Sequence, residues 1–305
     1  MDHTDLERQV AAALTVNKYH RMNQDMPTVS PKMPETDFQI FTSLRYDQAL
    51  CEVPESELRF AGWNYQNKSP LYMLDFHRDR MLRAAKHWKW TKAIDVLKGE
   101  SGLQRLTVLV LEHVKGKDGG PLRVRITVSQ EGEFGCESWP APKKSLQNLF
   151  PKQLPTPGVH DGAEVISKEE VYEVVIDGGR TARSEYTHFK TTRRAMYDVA
   201  RQRAGIKPGD LKEVLIVNQD NGCIMEGSTC TPYFWRSGRW VTPPVPSQFD
   251  SEEGSGGNDG TSRRWALARG IVVEEQVKVE SLVDGEECWM STGVRGFMCG
   301  RVKLL

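Results

Sequence analysis

Short apolar runs separated by turn-forming residues are the clearest pattern in the chain. Residues 214–217 are continuously apolar and rich in β-branched side chains, which is typical of a buried strand. Residues 220–222, Asp-Asn-Gly, tolerate positive φ angles and predict a hairpin turn into a return strand over 223–225. A second turn is predicted at Ser237-Gly238, followed by a strand over 240–242 that two prolines end. Together these runs predict a β-meander.

The remaining apolar pattern predicts further strands and a few helices. Apolar residues recur at helical spacing over 72–97, which predicts one long helix. A helix of about 13 residues is predicted after Lys190, with Thr191 or Thr192 as its cap and Gly205 at its end. Short helices are predicted over 6–14 and 265–269. Strands are predicted over 38–46, 106–112, 122–129, 134–139, 171–177 and 276–282.

Proline and glycine positions divide the chain into three parts. Residues 146–162 contain three prolines and two glycines, so a domain boundary is placed there. We predict a partly disordered N-terminal arm over 1–36, a small α/β domain over 37–150 and a larger domain over 151–305.

Composition narrows the class of protein. The chain has 305 residues, with 41 basic and 41 acidic side chains, so no net field favours nucleic acid or an anionic membrane. No apolar run approaches the roughly 20 residues of a membrane span, and the N-terminus does not resemble a signal peptide. The six cysteines form no Cys-x-x-Cys pair, so no metal site is expected. These features favour a soluble, cytoplasmic protein with reduced thiols.

An acidic residue directly after an apolar strand suggests chemistry. Glu226-Gly227-Ser228 follows the predicted strand over 223–225, and the wider motif is Asn218-x-x-x-Gly222-x-x-x-Glu226-Gly-Ser. A surface glutamate at a strand end is the alternative interpretation. The motif resembles the signature of the fold-type IV pyridoxal-phosphate enzymes, which include branched-chain and D-amino-acid aminotransferases and 4-amino-4-deoxychorismate lyases. The resemblance implies that Glu226 pairs with the pyridine nitrogen of the cofactor.

Two further motifs extend the resemblance. Lys190 precedes Glu226 by 36 residues and occupies the place of the family's Schiff-base lysine, which is also the general base. His77-Arg-Asp-Arg80 resembles the family's His-x-x-Arg helix, so Arg80 is expected to bind the cofactor phosphate. A guanidinium suits that role because it stays charged and meets phosphate oxygens with two parallel hydrogen bonds.

The rest of the cofactor site is implied by the C-terminal segments. Thr261 and Ser262 follow Gly260 at the start of a predicted helix and resemble the family's phosphate-binding turn. Free N–H groups and hydroxyls at a helix start form an anion site. Thr292 is the expected last hydroxyl near the phosphate, with Ser291 as the alternative.

The substrate side is implied by another segment. Phe41-Thr-Ser-Leu-Arg45 resembles the Phe-Thr-Thr-x-Arg segment of aminodeoxychorismate lyases, so Thr42, Ser43 and Arg45 are expected to bind substrate. Arg123 and Arg125 share one face of their predicted strand; one of them could meet a substrate carboxylate, but solvent exposure is the expectation.

The resemblance also sets the expected fold and function. It implies a mixed α/β (α+β) homodimer, with a small α/β N-terminal domain, a larger domain with a β-barrel-like core, and the site in the cleft between them. Phe189-Lys-Thr-Thr is most similar to fungal-type 4-amino-4-deoxychorismate lyases, which release p-aminobenzoate and pyruvate in folate biosynthesis. An aminotransferase of the D-amino-acid or branched-chain type is the first alternative. A non-catalytic protein that binds pyridoxal phosphate is the second.

Overall fold

A computed structural model describes residues 38–117, 119–158, 166, 168 and 170–304. The elements below belong to one compact unit that begins at Gln39. The predicted N-terminal arm and its helix over 6–14 lie outside the described residues. The predicted boundary within 146–162 stays a prediction.

A three-stranded antiparallel sheet comes first in the chain. Its strands, in spatial order, are β1 (Ile40–Tyr46), β2 (Leu122–Val128) and β3 (Phe134–Pro140). Ser43 pairs with Arg125, which pairs in turn with Glu137. The opposite face carries the apolar residues of β2, including the fully buried Val124 and Ile126. These three strands confirm the sequence predictions at their positions.

Helices fill the connection between β1 and β2. They are α1 (Trp63–Gln66), α2 (Leu74–His87), α3 (Thr91–Leu97) and α4 (Gly99–Val114), with 3-10 turns at Gln48–Glu55 and Arg59–Ala61. The single helix predicted over 72–97 is wrong, because the chain turns at Lys89 (φ 55°) and separates α2 from α3. The strand predicted over 106–112 is also wrong. Leu106, Val110 and Val114 are buried at helical spacing within α4, a period that a short apolar run does not distinguish from a strand.

An eight-stranded mixed sheet forms the second half of the chain. Its spatial order is β6-β5-β4-β11-β10-β7-β8-β9, and it is curled. The strands are β4 (Tyr172–Ile176), β5 (Lys212–Val217), β6 (Ile224–Gly227), β7 (Thr231–Arg236), β8 (Arg239–Thr242), β9 (Val273–Glu274), β10 (Glu287–Thr292) and β11 (Gly296–Lys303). The two predicted hairpins, β5-β6 and β7-β8, and the mixed α/β class are confirmed. The continuous meander is wrong, because β6 and β7 are not neighbours in the sheet.

Helices in this half are α5 (Leu146–Leu149), α6 (Glu185–His188), α7 (Ala195–Arg203) and α8 (Thr261–Ala268). The helix after Lys190 is shorter than predicted, and neither threonine caps it. Thr191 forms a bridge to Ile40, and the Thr192 hydroxyl accepts the Gln39 N–H, so both threonines attach this segment to β1. Gly205 (φ 64°) closes the helix as expected.

The strand predicted over 276–282 is wrong. A 3-10 turn, Val279–Ser281, occupies most of it, and Lys278 makes an isolated bridge to Cys223. No helix in the described part of the chain is long and apolar enough to cross a membrane.

Candidate active site

Lys190 lies between α6 and α7, against the first strand of the small sheet. Its backbone carbonyl accepts the Phe41 N–H at 3.0 Å, and its Nζ lies 4.9 Å from the centre of the Phe41 ring. Burial, together with the positive charges of Arg194 and Arg80, holds the pKa of the amine well below its ordinary value. These effects favour the neutral form of the amine, which is the form that acts as a nucleophile and a base.

Glu226 is located at the end of β6, where the hairpin directs its carboxylate toward Lys190. Tyr197 donates its hydroxyl to Oε1 at 2.5 Å, and the Asn258 N–H donates to the same oxygen at 3.2 Å. Burial raises the pKa of Glu226 to about 7, although the Tyr197 hydrogen bond and the Lys190 charge both oppose this rise. The pair therefore combines a depressed amine pKa with a raised carboxyl pKa, a pattern that clusters at functional sites.

Arg80, on α2, is part of a chain of buried polar side chains that connects α2 with β1 and α8. Its Nη2 donates to Thr42 Oγ1 at 2.6 Å, and that hydroxyl lies 2.6 Å from His77 Nδ1. Burial, followed by the charge of Arg80, holds the pKa of His77 well below its ordinary value, so the ring is neutral. Since Thr42 already accepts from Arg80, its proton goes to Nδ1. The Nε2–H of His77 then faces Thr261 Oγ1 at 3.5 Å.

The start of α8 completes this part of the site. Thr261 and Ser262 are both buried, and Gly260 offers no side chain to cap the first N–H groups of the helix. Ser262 Oγ lies 2.8 Å from Ser291 Oγ, which lies 2.7 Å from the Tyr233 hydroxyl. The start of α8 thus combines uncapped N–H groups with two hydroxyls.

Thr292, the first choice of the sequence analysis, is used differently. Its hydroxyl accepts the backbone N–H groups of Val294 and Arg295, at 3.2 and 2.9 Å, within the turn between β10 and β11. Ser291, the alternative, is the hydroxyl that the structure joins to Ser262. The phosphate role of Thr292 stays a prediction, and the geometry favours Ser291.

The three residues of β1 that were predicted to bind substrate have different surroundings in the structure. Thr42 faces Arg80, and the buried Ser43 Oγ has no hydrogen-bond partner among the described residues. Arg45 is fully buried, with Nη2 2.6 Å from Asp47 Oδ2 and Nη1 donating to the Pro142 carbonyl at 2.9 Å. Arg45 therefore already has an anionic partner, which favours a structural role over the predicted substrate role.

A model of the family described as "Amino-transferase class IV" matches residues 60–301. The match covers most of the chain and includes Arg80, Lys190 and Glu226. The chain belongs to this family. The fold-type IV resemblance in the sequence analysis is thereby confirmed.

The proteins that this chain resembles include an aminodeoxychorismate lyase and a candidate aminotransferase. This chain is 26% identical over 207 residues to aminodeoxychorismate lyase of Saccharomyces cerevisiae, a match that covers 59% of this chain and 51% of that protein. The chain thus spans about half the length of this curated relative.

Solved structures share the fold at lower identity. A candidate amino-acid aminotransferase from Mesorhizobium loti has a TM-score of 0.57 and 17% identity, over 87% of this chain and 100% of that one. A candidate 4-amino-4-deoxychorismate lyase has a TM-score of 0.55 and 19% identity, over 90% of this chain and 89% of that one.

The class IV family is known to use pyridoxal phosphate, and the residues at this site fit that cofactor. Arg80 Nε is buried without a hydrogen-bond partner among the described residues, which leaves a donor for a phosphate oxygen. Glu226 would hold a proton on the ring nitrogen, and the Lys190 amine would meet the aldehyde. Within the described residues, no group of three or more His, Cys, Asp or Glu side chains is arranged to bind a metal ion.

Sequence reasoning missed three residues of the site, of which two orient Glu226 and one adds charge. Tyr197 and Asn258 hold the Glu226 carboxylate, and Asn258 also donates to the His188 carbonyl at 2.7 Å. Arg194 adds charge beside Lys190. The sequence carried no signal for Tyr197 and Asn258 as donors to Glu226. Their role depends on how α7 and the segment before α8 pack against β6.

Arg80→Gln is expected to weaken pyridoxal-phosphate binding about tenfold or more, because a neutral amide loses the charge-assisted bonds to phosphate. Burial lowers the pKa of Arg80 only to about 10, so the guanidinium is charged at neutral pH. Titration of the purified protein with the cofactor, followed by absorbance, measures the change. Lys86→Gln, an exposed charge on the same helix, is the matched control; equal losses in both variants would contradict the phosphate role.

Proposed function

We propose that this protein is a pyridoxal-phosphate-dependent lyase that converts 4-amino-4-deoxychorismate to p-aminobenzoate and pyruvate. The observation that carries the proposal is the buried amine of Lys190, whose pKa is lowered by burial, together with the carboxylate of Glu226 that Tyr197 orients. The match to the Saccharomyces cerevisiae lyase favours this substrate within the family. The proposal includes a cytoplasmic homodimer that acts in folate biosynthesis.

Lys190 and Glu226 would have different roles in the proposed reaction. When bound, pyridoxal phosphate supplies an electron sink for the carbon next to the substrate nitrogen. Lys190 takes the proton from the ring carbon that carries the amine, a role that the lowered pKa of its own amine favours. Glu226 keeps a proton on the ring nitrogen of the cofactor, and Tyr197 and Asn258 hold the carboxylate in place.

The bond changes of the lyase reaction balance without an oxidant or reductant. The ring carbon that bears the amine loses its proton to Lys190, and the neighbouring carbon–oxygen bond breaks with its electron pair leaving on the enolpyruvyl oxygen. The ring becomes aromatic. Lys190, now protonated, can return the proton to the departing group, which becomes pyruvate.

An aminotransferase is the second candidate, because a candidate amino-acid aminotransferase from Mesorhizobium loti is among the structures that share the fold. It would use the same cofactor residues and would need a 2-oxo acid as acceptor; D-amino-acid and branched-chain types are the two forms considered. A non-catalytic role is disfavoured, since amine, carboxylate and anion site occur together.

Release of p-aminobenzoate tests the proposal directly. The purified protein is loaded with pyridoxal phosphate, aminodeoxychorismate is added, and product fluorescence is followed. Appearance of p-aminobenzoate supports the lyase. Its absence, combined with amino transfer from D-alanine or leucine to 2-oxoglutarate by the same preparation, would replace the lyase with an aminotransferase.

A further inference from the structure

The connection between β6 and β7, which directly follows Glu226-Gly227, is held by a second buried glutamate. This residue is Glu213 on β5, and it is 4% exposed. Its Oε1 accepts the Ser228 N–H at 3.1 Å and also the Ser228 hydroxyl. Its Oε2 accepts the Thr229 hydroxyl. One carboxylate thus binds three donors in the two residues that come after Glu226-Gly227.

One face of α7 contacts the same connection. Arg194, Tyr197 and Arg201 are spaced three and four residues apart, so their side chains lie on one face of the helix and its first turn. Arg194 Nη2 donates to the Ser228 carbonyl at 3.0 Å, and Arg201 Nη1 donates to Ser228 Oγ at 3.0 Å. Between them, the Tyr197 hydroxyl donates to Glu226. The groups that hold Ser228 and the group that orients Glu226 therefore share one helix face.

Arg201 also supplies a positive charge for the buried carboxylate. Its Nη1 lies 3.7 Å from Glu213 Oε1, and the Arg201 side chain is 28% exposed. A buried carboxylate is costly unless it is paired and accepts hydrogen bonds, and Glu213 meets both conditions. Hydrogen bonds to a carboxylate are stronger than those between neutral groups, so Ser228 and Thr229 are held firmly.

The close approach of Glu213 also explains the glycine next to Glu226. A Cβ atom at Gly227 would lie 3.2 Å from Glu213 Cγ and 2.5 Å from Cys230 Sγ. A side chain at position 227 would therefore push the connection away from Glu213. The backbone after Glu226 is fitted to the position of Glu213.

The strand ladder is irregular on the other side of Glu226. Ile216 pairs with Glu226, but the next pair is Val217 with Ile224, so the register shifts at this point. A bulge of this kind disrupts the ladder locally and bends the strand. The contacts of Ser228 and Thr229 therefore provide the fixed end from which Glu226 is directed.

We propose that Glu213 is a positioning residue for the cofactor. By holding Ser228 and Thr229 it sets the direction of the Glu226 carboxylate, and therefore the strength of the contact between Glu226 and the ring nitrogen. This role rests on the cofactor of the proposed function and is the same for a lyase and an aminotransferase. Glu213 acts through Ser228 and Thr229 and is not a catalytic residue.

Paired titrations with pyridoxal phosphate and with its analogue in which a C–H group replaces the ring nitrogen test this role without turnover. The aldehyde and phosphate are identical in the two molecules, so the ratio of the two affinities reports the contact between Glu226 and the ring nitrogen. Glu213→Gln is expected to lower this ratio about tenfold, because the amide NH₂ group opposes donors that the carboxylate accepts. The affinity for the analogue should change less than about twofold.

Three further variants complete the measurement. Glu226→Gln should lower the ratio at least as much as Glu213→Gln, since it removes the charge itself. Glu173→Gln is the matched control and should leave both affinities unchanged, because Glu173 lies on the neighbouring strand β4 with a half-exposed side chain paired with Lys212. Thr229→Val, at an exposed position, should lower the ratio about threefold and keeps the test available if Glu213→Gln does not fold.

A purely structural role of Glu213 predicts a different result. Equal losses of affinity for both molecules, or an unchanged ratio, would overturn the positioning role. A ratio that Glu226→Gln also leaves unchanged would overturn it as well, since Glu226 would then make no contact with the ring nitrogen. Failure of the p-aminobenzoate assay would not affect these ratios, because both molecules bind without substrate. Absence of cofactor binding by the wild type would overturn both this role and the proposed function.

Discussion

Lys190→Ala is expected to abolish turnover, with a loss of about 10³-fold or more, while the protein stays folded. The amine is both the group that meets the cofactor and the base for the reaction, and alanine supplies neither function. Lys190 also adjoins Arg194 and Arg80, whose charges lower its pKa. Because folding lowers the pKa of this amine, the amine costs stability at pH values below its ordinary pKa. The melting temperature of the cofactor-free variant should therefore equal or exceed that of the wild type.

The measurement is p-aminobenzoate fluorescence, with thermal unfolding of the same samples as the test of folding. Lys207→Ala, an exposed lysine beyond α7, is the control. Substantial product from a folded Lys190→Ala variant would remove Lys190 from the mechanism. Lys190→Met serves as a second variant if the alanine side chain leaves a cavity that destabilises the fold.

Glu226→Gln is expected to lower turnover about a hundredfold and, in the cofactor-free protein, to raise the melting temperature above pH 7. The amide has no charge with which to hold a proton on the cofactor nitrogen, and loss of such a preorganised electrostatic partner has effects of about this size. Glutamine can still accept the Tyr197 hydrogen bond, so the fold should be kept.

The stability effect follows from the direction of the pKa shift. Folding raises the pKa of Glu226 from 4.5 to about 7 through burial, so the folded state binds a proton more tightly than the unfolded state. The wild type therefore loses stability as pH rises from about 4.5 through 7, and the glutamine variant does not. The difference in melting temperature between variant and wild type should be larger at pH 8 than at pH 5.

Tyr197→Phe separates the charge of Glu226 from its orientation. The Tyr197 hydrogen bond lowers the pKa of Glu226, so its loss should raise that pKa further. If the ionised carboxylate is required, the acid limb of the activity profile moves to higher pH in Tyr197→Phe. An acid limb that stays in place would mean that Glu226 does not control it.

The sequence alone was sufficient to predict features that depend on a few adjacent residues, such as hairpin turns. Turn residues and β-branched runs predicted the hairpins β5-β6 and β7-β8, because hairpin geometry depends on a few adjacent residues. They did not show that β6 and β7 lie apart in the sheet, which depends on distant strands. Glu226 and Lys190 were found through motifs of fixed spacing, and the structure brings both to one site. The helix at 106–112 was missed because a short apolar run fits two periods, and only packing of α4 decides between them.

The tertiary structure alone decided what the candidate residues can do. Burial and the charge of Arg194 lower the pKa of the Lys190 amine, and the Tyr197 hydroxyl orients Glu226, although both partners come from a segment whose sequence suggested only a helix. Arg45 was expected at the substrate, but Asp47 occupies it, while Arg125 faces the Phe41 ring instead. The sequence determined which chemical groups the chain carries. Solvation and charge around each group depend on distant segments, and therefore only the folded chain determined their protonation states and partners.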